Sequence, residues 1–277
     1  MSVENHTSFY RLLGPPVSSG VSQIIEPEGI LRDSSIEERF LMSNSYPPVT
    51  LPDTEVRLLY SANVDQEFKL FISFPSGYDG SEDRYPVIYV TDANWIFSSC
   101  LRLHRLPIPP MIIVGIGYPT DDLAEIFRIR ARDFLPTKNK EDEKIVKEEY
   151  KMAIESGGGR QFLSFIRDEL FPFINDQYRT KPDDRTLFGH SYGGTFGLYT
   201  LFNKSDTFNR YILCAPDLGW DNGLCFQYEQ QYAAKQSNLP VRLFLGVGSL
   251  DEDVIMDRNV STLFRFHAIL KSRNYKG

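Results

Sequence analysis

Cysteine and histidine are the scarce reactive side chains of this sequence, which has three of the former and four of the latter among 277 residues. Cys100, Cys214 and Cys225 are odd in number and lie far apart, so they favour neither a disulfide framework nor a zinc site. We therefore expect no metal and no other cofactor. So few cysteines also favour a reducing, cytoplasmic location.

Positive charge is in deficit, with 30 lysines and arginines against 37 acidic residues and a formal net charge of -7. A protein that binds nucleic acid or an anionic membrane needs a basic surface, so we expect neither partner. Long apolar runs are missing too, since no window approaches the roughly 18 residues that a membrane-spanning helix needs. Small molecules are the expected partners, and the sequence does not indicate an oligomeric state.

What the chain does contain is a regular pattern that begins after Pro52. Residues 1–50 mix Ser, Pro, Glu and Gly without a sustained period, which is typical of an irregular N-terminal extension. Residues 51–277 are expected to form the folded domain. TEVRLLYS and QEFKLFIS alternate apolar and polar residues on either side of a turn-rich link, which predicts an antiparallel hairpin of half-buried strands.

Short, continuous apolar runs follow the hairpin and alternate with helical patterns. Runs of this kind are typical of parallel strands that are buried on both faces. They are YPVIYVTD, MIIVGIGYP, RTLFGH, RYILCAP and PVRLFLGVGS. An antiparallel start followed by repeated β/α units predicts an α/β fold, a three-layer arrangement around a mostly parallel sheet.

A dense charge run, KNKEDEKIVKEEYK, occupies the centre of a long connection, in residues 137–151. One interpretation is a solvated helix or loop. The other is a lid over the site, because long excursions after sheet strands often carry binding loops. The sequence leaves both open.

GHSYGG, residues 189–194, follows the predicted strand RTLF and opens a helical pattern. A serine in such a strand-to-helix turn is typical of a nucleophile elbow, because only small residues fit two positions before and two after it. Gly189 and Gly193 meet that requirement, so Ser191 is the candidate nucleophile. The backbone N–H of Tyr192, at the helix N-terminus, is a candidate donor to an oxyanion.

The sequence around this serine resembles the putative esterase family of the α/β-hydrolases, which includes enzymes that hydrolyse trilactone siderophores. The resembling stretches are YPVIYVTDANWIF, GHSYGGTFGLYTLF, RYILCAPDLGWDN and VRLFLGVGSLDED, and the resemblance covers residues 50–277. It implies an α/β-hydrolase fold and a carboxylic ester hydrolase that forms an acyl-enzyme at Ser191. In DANWIF, where the family often has glycine before asparagine, it implies a second oxyanion donor at the backbone N–H of Asn94 or Trp95.

The resemblance also implies an acid after the strand PVRLFLGVG. Asp251 is the first candidate for it and Glu252 the second. The alternative is that these carboxylates cap the N-terminus of the following helix, where acidic residues are favoured.

Four further residues are candidates for substrate binding. Arg130 and Arg132 recur with Arg128 at period two in FRIRARDF and would share one face of an extended segment. There they form either a basic rim for an anionic substrate or salt bridges within an acidic protein. Trp220 is either an aromatic wall of the pocket or buried packing, and Trp95 is the remaining candidate.

The histidine that should activate Ser191 is hard to place. In α/β-hydrolases it follows the acid, and only His267 does so here. That residue shares a helical stripe with Leu263, Phe264 and Leu270, which predicts a half-buried packing histidine. His190 adjoins the serine, but the elbow turns its side chain away.

The resemblance accounts for this gap, because the family continues beyond LKSRNYKG with a last strand, a loop that carries the histidine, and a closing helix. We therefore expect that this chain is C-terminally truncated, without the last strand and helix, and that hydrolysis by the 277-residue form is very weak. A lineage that has lost its base is the alternative. In that case the protein is a catalytically inactive ligand-binding or interaction protein that uses the same pocket.

Overall fold

A seven-stranded sheet organises the part of the chain that the computed structural model describes, residues 50–249, 251 and 259–276. Its spatial order is β1-β2-β4-β3-β5-β6-β7, in which β1 is antiparallel to β2, β2 is antiparallel to β4, and all later neighbours are parallel. The strands are β1 (Thr54–Ser61), β2 (Gln66–Ser73), β3 (Tyr85–Val90), β4 (Ile112–Gly117), β5 (Thr180–His190), β6 (Arg210–Cys214) and β7 (Arg242–Gly246).

The hydrophobic pattern explains both kinds of strand. In β2, Phe68, Leu70 and Ile72 point into the core while the residues between them are more exposed, as the alternation predicts. In β4 every residue is buried, as expected of a parallel strand that is covered on both faces. The predicted fold class is therefore confirmed: the chain has an α/β-hydrolase type of fold, with a mostly parallel sheet and an N-terminal antiparallel hairpin.

Helices connect the strands from β3 onward. They are α1 (Ala93–Cys100), α2 (Leu123–Phe134), α3 (Lys140–Tyr150), α4 (Gly159–Ser164), α5 (Phe171–Gln177), α6 (Tyr192–Asn203), α7 (Trp220–Ala233) and α8 (Asn259–Arg273). A 3-10 turn, Leu101–Arg105, continues α1, and a π-helical segment, Phe165–Leu170, joins α4 to α5. No helix in the described ranges is long and apolar enough to cross a membrane.

The core has a large and a small part on opposite faces of the sheet. Alternate residues of β3 belong to different parts, with Tyr89 in the large cluster and Ile88 and Val90 in the small one. Buried rings fill the large cluster, and Phe68 and Phe165 stack there with centroids 4.1 Å apart. Helix α1 lies on the other face, where its Ala93 and Phe97 side chains belong to the small cluster.

The segment FRIRARDF lies in helix α2, so the condition under which its arginines would share one face, an extended backbone, is not met. The carboxylate of Asp122 caps the helix by accepting hydrogen bonds from the N–H groups of Ala124 and Glu125. Ile126 and Ile129 are buried at helical spacing. The three arginines of this segment therefore do not share one face. Each forms a salt bridge, which was the second alternative: Arg128 with Glu155, Arg130 with Asp92 and Arg132 with Asp133.

The charge run of residues 137–151 is largely helical and forms α3. The Asn139 side chain caps this helix, and Val146 is its buried residue. Asn139 Nδ2 also donates to Asp221 Oδ1 at 3.0 Å, and Asp142 Oδ2 accepts from the Asp221 N–H at 2.8 Å. The run is thus a mostly solvated helix that is hydrogen-bonded to the start of α7.

Helix α8 differs from its predicted packing. Leu263 and Phe266 are the buried residues, whereas Phe264 and His267 are exposed. The buried stripe of the helix therefore contains Phe266 in place of Phe264 and His267, and the prediction of a half-buried His267 is wrong.

Candidate active site

Ser191 lies at the sharp turn between β5 and α6. Its φ of 56° and ψ of -124° are values that residues other than glycine rarely adopt. The Ser191 N–H donates to the Cys214 carbonyl oxygen at 2.9 Å, and its own carbonyl accepts from the Gly194 N–H at 2.8 Å. These bonds hold the half-buried Ser191 at the end of β5 and the start of α6.

The turn requires the glycine at position 193. A Cβ atom there would lie 2.4 Å from Thr91 Oγ1, which is closer than side-chain carbons approach other atoms. Helix α6 therefore packs directly against the end of β3, where Thr91 follows the strand. This close approach brings the N-termini of α6 and α1 to the same edge of the sheet.

Backbone N–H groups at these two helix ends are the candidate oxyanion donors. The Tyr192 N–H belongs to the first turn of α6, and the Asn94 N–H to the first turn of α1, where N–H groups lack intrahelical acceptors. The Trp95 N–H instead donates to the Asp92 carbonyl at 3.0 Å. Of the two alternatives left by the sequence, Asn94 is therefore the better placed donor.

The Asn94 side chain has a different role from its backbone. Its Oδ1 accepts from the Tyr118 N–H at 2.8 Å, and its Nδ2 donates to the Tyr118 carbonyl at 2.9 Å. A second, longer contact joins Nδ2 to the Thr120 carbonyl at 3.3 Å. The side chain thus fastens the start of α1 to the end of β4.

Arg130 does not lie on a solvent-facing rim. Its side chain is 3% exposed and forms a two-pronged ion pair with Asp92, with Nε–Oδ1 and Nη2–Oδ2 distances of 2.6 and 2.9 Å. The same Nη2 donates to the His190 carbonyl at 3.3 Å. Arg130 is therefore bound to the residues that precede both candidate oxyanion donors.

Arg132 is likewise engaged inside the protein. It donates through Nε to Asp133 Oδ1 at 2.8 Å and through Nη2 to Gln66 Oε1 at 2.6 Å. The Tyr118 hydroxyl donates to Asp133 Oδ2 at 3.2 Å. Burial nevertheless raises the pKa of Asp133 to about 6, against the lowering effect of Arg132 and these hydrogen bonds.

The two tryptophans occupy different environments. Trp95 is 40% exposed, and its ring centroid lies 5.6 Å from Arg130 Cζ. Trp220 is buried, its Nε1 donates to Thr137 Oγ1 at 3.3 Å, and its ring packs edge-on against Tyr192 at 6.1 Å. Trp220 thus packs inside the protein against Tyr192, the residue after Ser191. Of the two tryptophans, Trp95 is the one that is accessible to solvent beside the site.

Asp251 follows β7 at the same edge of the sheet. Its Oδ2 accepts from the Gly248 N–H at 3.0 Å. Burial and the charge of Arg130 lower the pKa of His190, while the charges of Asp92 and Asp251 act in the opposite direction. The charge of Asp251 thus acts on the pKa of His190, the residue before Ser191. Glu252 lies outside the described residues.

The described histidines do not engage the nucleophile. His104 Nε2 lies 3.0 Å from Ser73 Oγ, at a distance from the elbow in the fold, and His267 is exposed on α8. Within residues 50–249, 251 and 259–276, no histidine nitrogen is hydrogen-bonded to the Ser191 hydroxyl. His6 lies outside the described residues.

The ion pair between Asp92 and Arg130 was not predicted from the sequence. The available signal was the Asp122-Leu-Ala-Glu125 pattern, a capping sequence that marks the start of a helix through FRIRARDF. A helix there turns only some of the arginines inward, and a buried arginine requires a carboxylate partner.

A strained serine between a parallel strand and a helix, with two helix N-termini beside it, is an arrangement typical of α/β-hydrolases. The model of the family described as Putative esterase matches residues 61–267. The chain belongs to this family, which confirms the predicted resemblance and the class of carboxylic ester hydrolases.

Named relatives agree with the family. Ferri-bacillibactin esterase BesA of Bacillus subtilis is 34% identical over 242 residues, which are 82% of this chain and 81% of that protein. The siderophore triacetylfusarinine C esterase of Aspergillus fumigatus is 27% identical over 198 residues, 68% of this chain and 63% of that protein. The crystal structure of BES protein from Bacillus cereus matches with a TM-score of 0.68 at 27% identity, over 82% of this chain and 86% of that chain.

Proposed function

We propose that this protein is a serine hydrolase that cleaves carboxylic esters through an acyl-enzyme at Ser191. The Ser191 hydroxyl oxygen attacks the ester carbonyl carbon, and its proton passes to a base. The N–H groups of Tyr192 and Asn94 bind the oxyanion that forms, the alcohol leaves, and water then hydrolyses the acyl-serine. The observation that carries the proposal is the strained backbone of Ser191 at the N-terminus of α6.

Asp251 is the proposed acid of the site. It follows β7, and its charge reaches His190 at the end of β5. An acid in this place orients the histidine base and stabilises the imidazolium that forms when the base takes the serine proton. Glu252 remains the second candidate.

We further propose that the base is none of the described histidines, His104, His190 and His267. His6 precedes the elbow, whereas the histidine of this fold follows the acid, so we propose that this chain lacks its catalytic histidine. Without a base the serine stays protonated, so acylation by the 277-residue form is expected to be slow. Oxyanion binding alone still accelerates attack, because it acts independently of the proton transfer.

The proposed substrate is a siderophore ester. The relatives at 34% and 27% identity are named for such substrates, ferri-bacillibactin and triacetylfusarinine C. The exposed ring of Trp95 offers an apolar contact beside the elbow for an aromatic or acyl group of the substrate. A cytoplasmic location and the absence of a nucleic-acid or membrane partner stay predictions.

A stopped-flow measurement with an activated aryl ester tests the nucleophile. Wild-type protein should release one equivalent of phenolate, and intact mass should place the acyl group on Ser191. Ser191→Ala should release none above the solution rate. Acylation that survives in Ser191→Ala would overturn the assignment.

Added imidazole tests the proposed lack of a base. Free imidazole should raise the acylation rate of the wild-type protein above its effect on the solution reaction, because it supplies the missing proton acceptor. His190→Gln should acylate at the wild-type rate. A loss of acylation in His190→Gln would identify His190 as the base instead.

The second candidate function is ligand binding without turnover. The observation that favours it is that no described histidine contacts Ser191. It predicts saturable binding of a siderophore ester, measured by tryptophan fluorescence, with no acylation of Ser191 and no product even with imidazole present.

A further inference from the structure

The sheet face on which α1 lies is only partly covered. Helix α1 and the 3-10 turn after it pack on this face against β3 and β4. The helices α2 to α8 contribute their buried apolar residues to the large cluster on the opposite face. Within the described ranges, β7 therefore has no helix over the α1 face, and the Phe244 side chain is 58% exposed there.

Side chains on this face form two rows that cross the strands β5, β6 and β7. The strand register places the members of each row opposite one another, and such neighbours point to the same side of a sheet. The apolar row consists of Phe188, Ile212 and Phe244, and the row two residues earlier consists of Thr186, Arg210 and Arg242. Two arginines thus lie beside an apolar strip at the amino ends of β6 and β7.

Two cavities meet at these arginines. An apolar groove of about 400 Å³ runs over the sheet face and is lined by side chains that include Ile88, Ile212 and Phe244. A wider cavity of about 740 Å³ lies at the amino ends of the parallel strands, and its lining includes four cationic and two acidic side chains. Arg210 and Arg242 line both cavities. The groove therefore opens at one end onto positive charge.

The two arginines are not fully neutralised by the protein. They are direct neighbours in the register of β6 and β7, so their charges repel. Asp184 forms a salt bridge with Arg210. Among the described residues, no carboxylate forms a salt bridge with Arg242, which is exposed. An anion bound at this end of the groove would supply the missing negative charge.

We propose that the apolar groove and the two arginines bind a single-chain carboxylate amphiphile, whose alkyl chain lies against Ile212 and Phe244 and whose carboxylate binds Arg242 and Arg210. The groove volume lies within the range of small-molecule sites, roughly 300–1,000 Å³. Burial of methylene groups favours the chain, and the planar guanidinium groups suit a carboxylate. The site lies at the amino ends of the strands, whereas Ser191 follows the carboxyl end of β5, so the inference does not depend on the serine chemistry.

Isothermal titration calorimetry of the full 277-residue chain tests the proposal, with dodecanoate below its micelle concentration as the ligand. Dodecanoate should bind saturably, with one molecule per chain and a negative change in heat capacity. Dodecyltrimethylammonium carries the same chain with the opposite charge and should bind at least about 10-fold more weakly. Absence of saturable dodecanoate binding, or equal binding of the two amphiphiles, would overturn the proposal.

Arg242→Met tests the contact with the carboxylate. Loss of a charge-assisted hydrogen bond should weaken dodecanoate binding by about 10-fold. Arg242→Lys keeps the charge and should stay within about 3-fold of the wild type. The matched control is Arg57→Met, which removes an exposed arginine from β1 at the opposite edge of the sheet and should bind like the wild type. An Arg242→Met protein with wild-type affinity would contradict the assignment.

Phe244→Ala tests the contact with the alkyl chain. Loss of the exposed ring should weaken dodecanoate binding by about 5-fold, because the chain loses apolar contact area. Phe264→Ala is the control, since Phe264 is also exposed but belongs to α8. Neither ring is buried, so both variants are expected to fold, and circular dichroism checks this. Unchanged affinity in Phe244→Ala would remove the groove from the proposed site.

Two results would assign this surface or this ligand differently. Binding that is weakened by Trp95→Ala and unaffected by Arg242→Met would place dodecanoate at the candidate active site. Sedimentation velocity could instead show a dimer that Phe244→Ala dissociates and that does not bind dodecanoate. That result would mean that a second copy of the chain covers this face. Either result would overturn the proposal.

Discussion

Gly189 and Gly193 approach each other so closely that a Cβ atom on Gly189 would lie 2.2 Å from the Gly193 carbonyl oxygen. The end of β5 and the first turn of α6, which lie on either side of Ser191, are therefore in direct backbone contact. Neither partner is a flexible side chain, so the contact cannot relax without moving the elbow itself.

Gly189→Ala is expected to destabilise the protein and to abolish labelling of Ser191. The methyl group must displace the backbone of α6, and overpacking of this kind costs about 1–3 kcal/mol. Urea denaturation measures the loss, and fluorophosphonate labelling of the remaining folded protein reports the elbow. Gly80→Ala is the control, because a Cβ atom there would meet nothing closer than the Gly77 carbonyl oxygen at 3.9 Å. A Gly189→Ala protein with wild-type stability would contradict the close contact between Gly189 and the Gly193 carbonyl.

The strands and the elbow could be predicted because their signals are local. Buried parallel strands such as β4 require unbroken apolar runs, and the turn at Ser191 requires small residues at fixed offsets. Helix α2 was not predicted, because arginines at every second position fit an extended segment as well as a helix with mixed faces. The pairing of Arg130 with Asp92 joins residues 38 positions apart. The capping pattern before α2 indicates a helix, but it does not indicate which carboxylate a buried arginine contacts.

Some residues of the candidate site could be predicted and others could not, because only some of them depend on local sequence. Ser191 and Tyr192 came from one motif, whereas the environments of Trp95 and Trp220 depend on packing between distant elements. Trp220 is buried through contacts with Thr137 and Tyr192, which belong to other parts of the chain. Exposure of a lone tryptophan therefore could not be predicted from its neighbours in sequence.

Asp133→Asn should change how stability depends on pH. Burial raises the pKa of this carboxyl in the folded protein to about 6, from an ordinary value of 3.8. Between these values the folded state holds more protons than the unfolded state, so stability falls as pH rises through the window. Asparagine cannot titrate.

The free energy of unfolding of the wild type, minus that of Asp133→Asn, should therefore fall by roughly 2 kcal/mol between about pH 4 and pH 7. Urea denaturation of both proteins at a series of pH values measures this difference. A difference that is constant with pH, or that rises, would show that folding does not raise the pKa of Asp133.

Removing Arg273 should loosen the attachment of α8 to α7. Glu229 is buried on α7 and accepts from Arg273 Nε and Nη2 and from the Tyr275 hydroxyl, each at 2.8 Å. Arg273→Met leaves this carboxylate with Tyr275 alone and should cost about 2 kcal/mol, less than the roughly 3–5 kcal/mol for a fully buried pair because the guanidinium is partly exposed. Glu229→Gln/Arg273→Met should recover most of the loss in urea denaturation, since no uncompensated charge remains. A double variant no more stable than Arg273→Met would argue against the charge as the cause.

Trp95→Ala should weaken the capture of an aryl ester without slowing the reaction of bound ester. The exposed ring provides apolar contact area beside the elbow, and it donates to neither oxyanion nor nucleophile. Losing one aromatic contact should raise the ester concentration for half-maximal acylation by about 3- to 10-fold, with the maximal rate unchanged. Trp95→Phe keeps a ring and should stay close to wild type. A fall in the maximal rate at unchanged half-saturation would mean that Trp95 supports the first turn of α1 rather than the substrate.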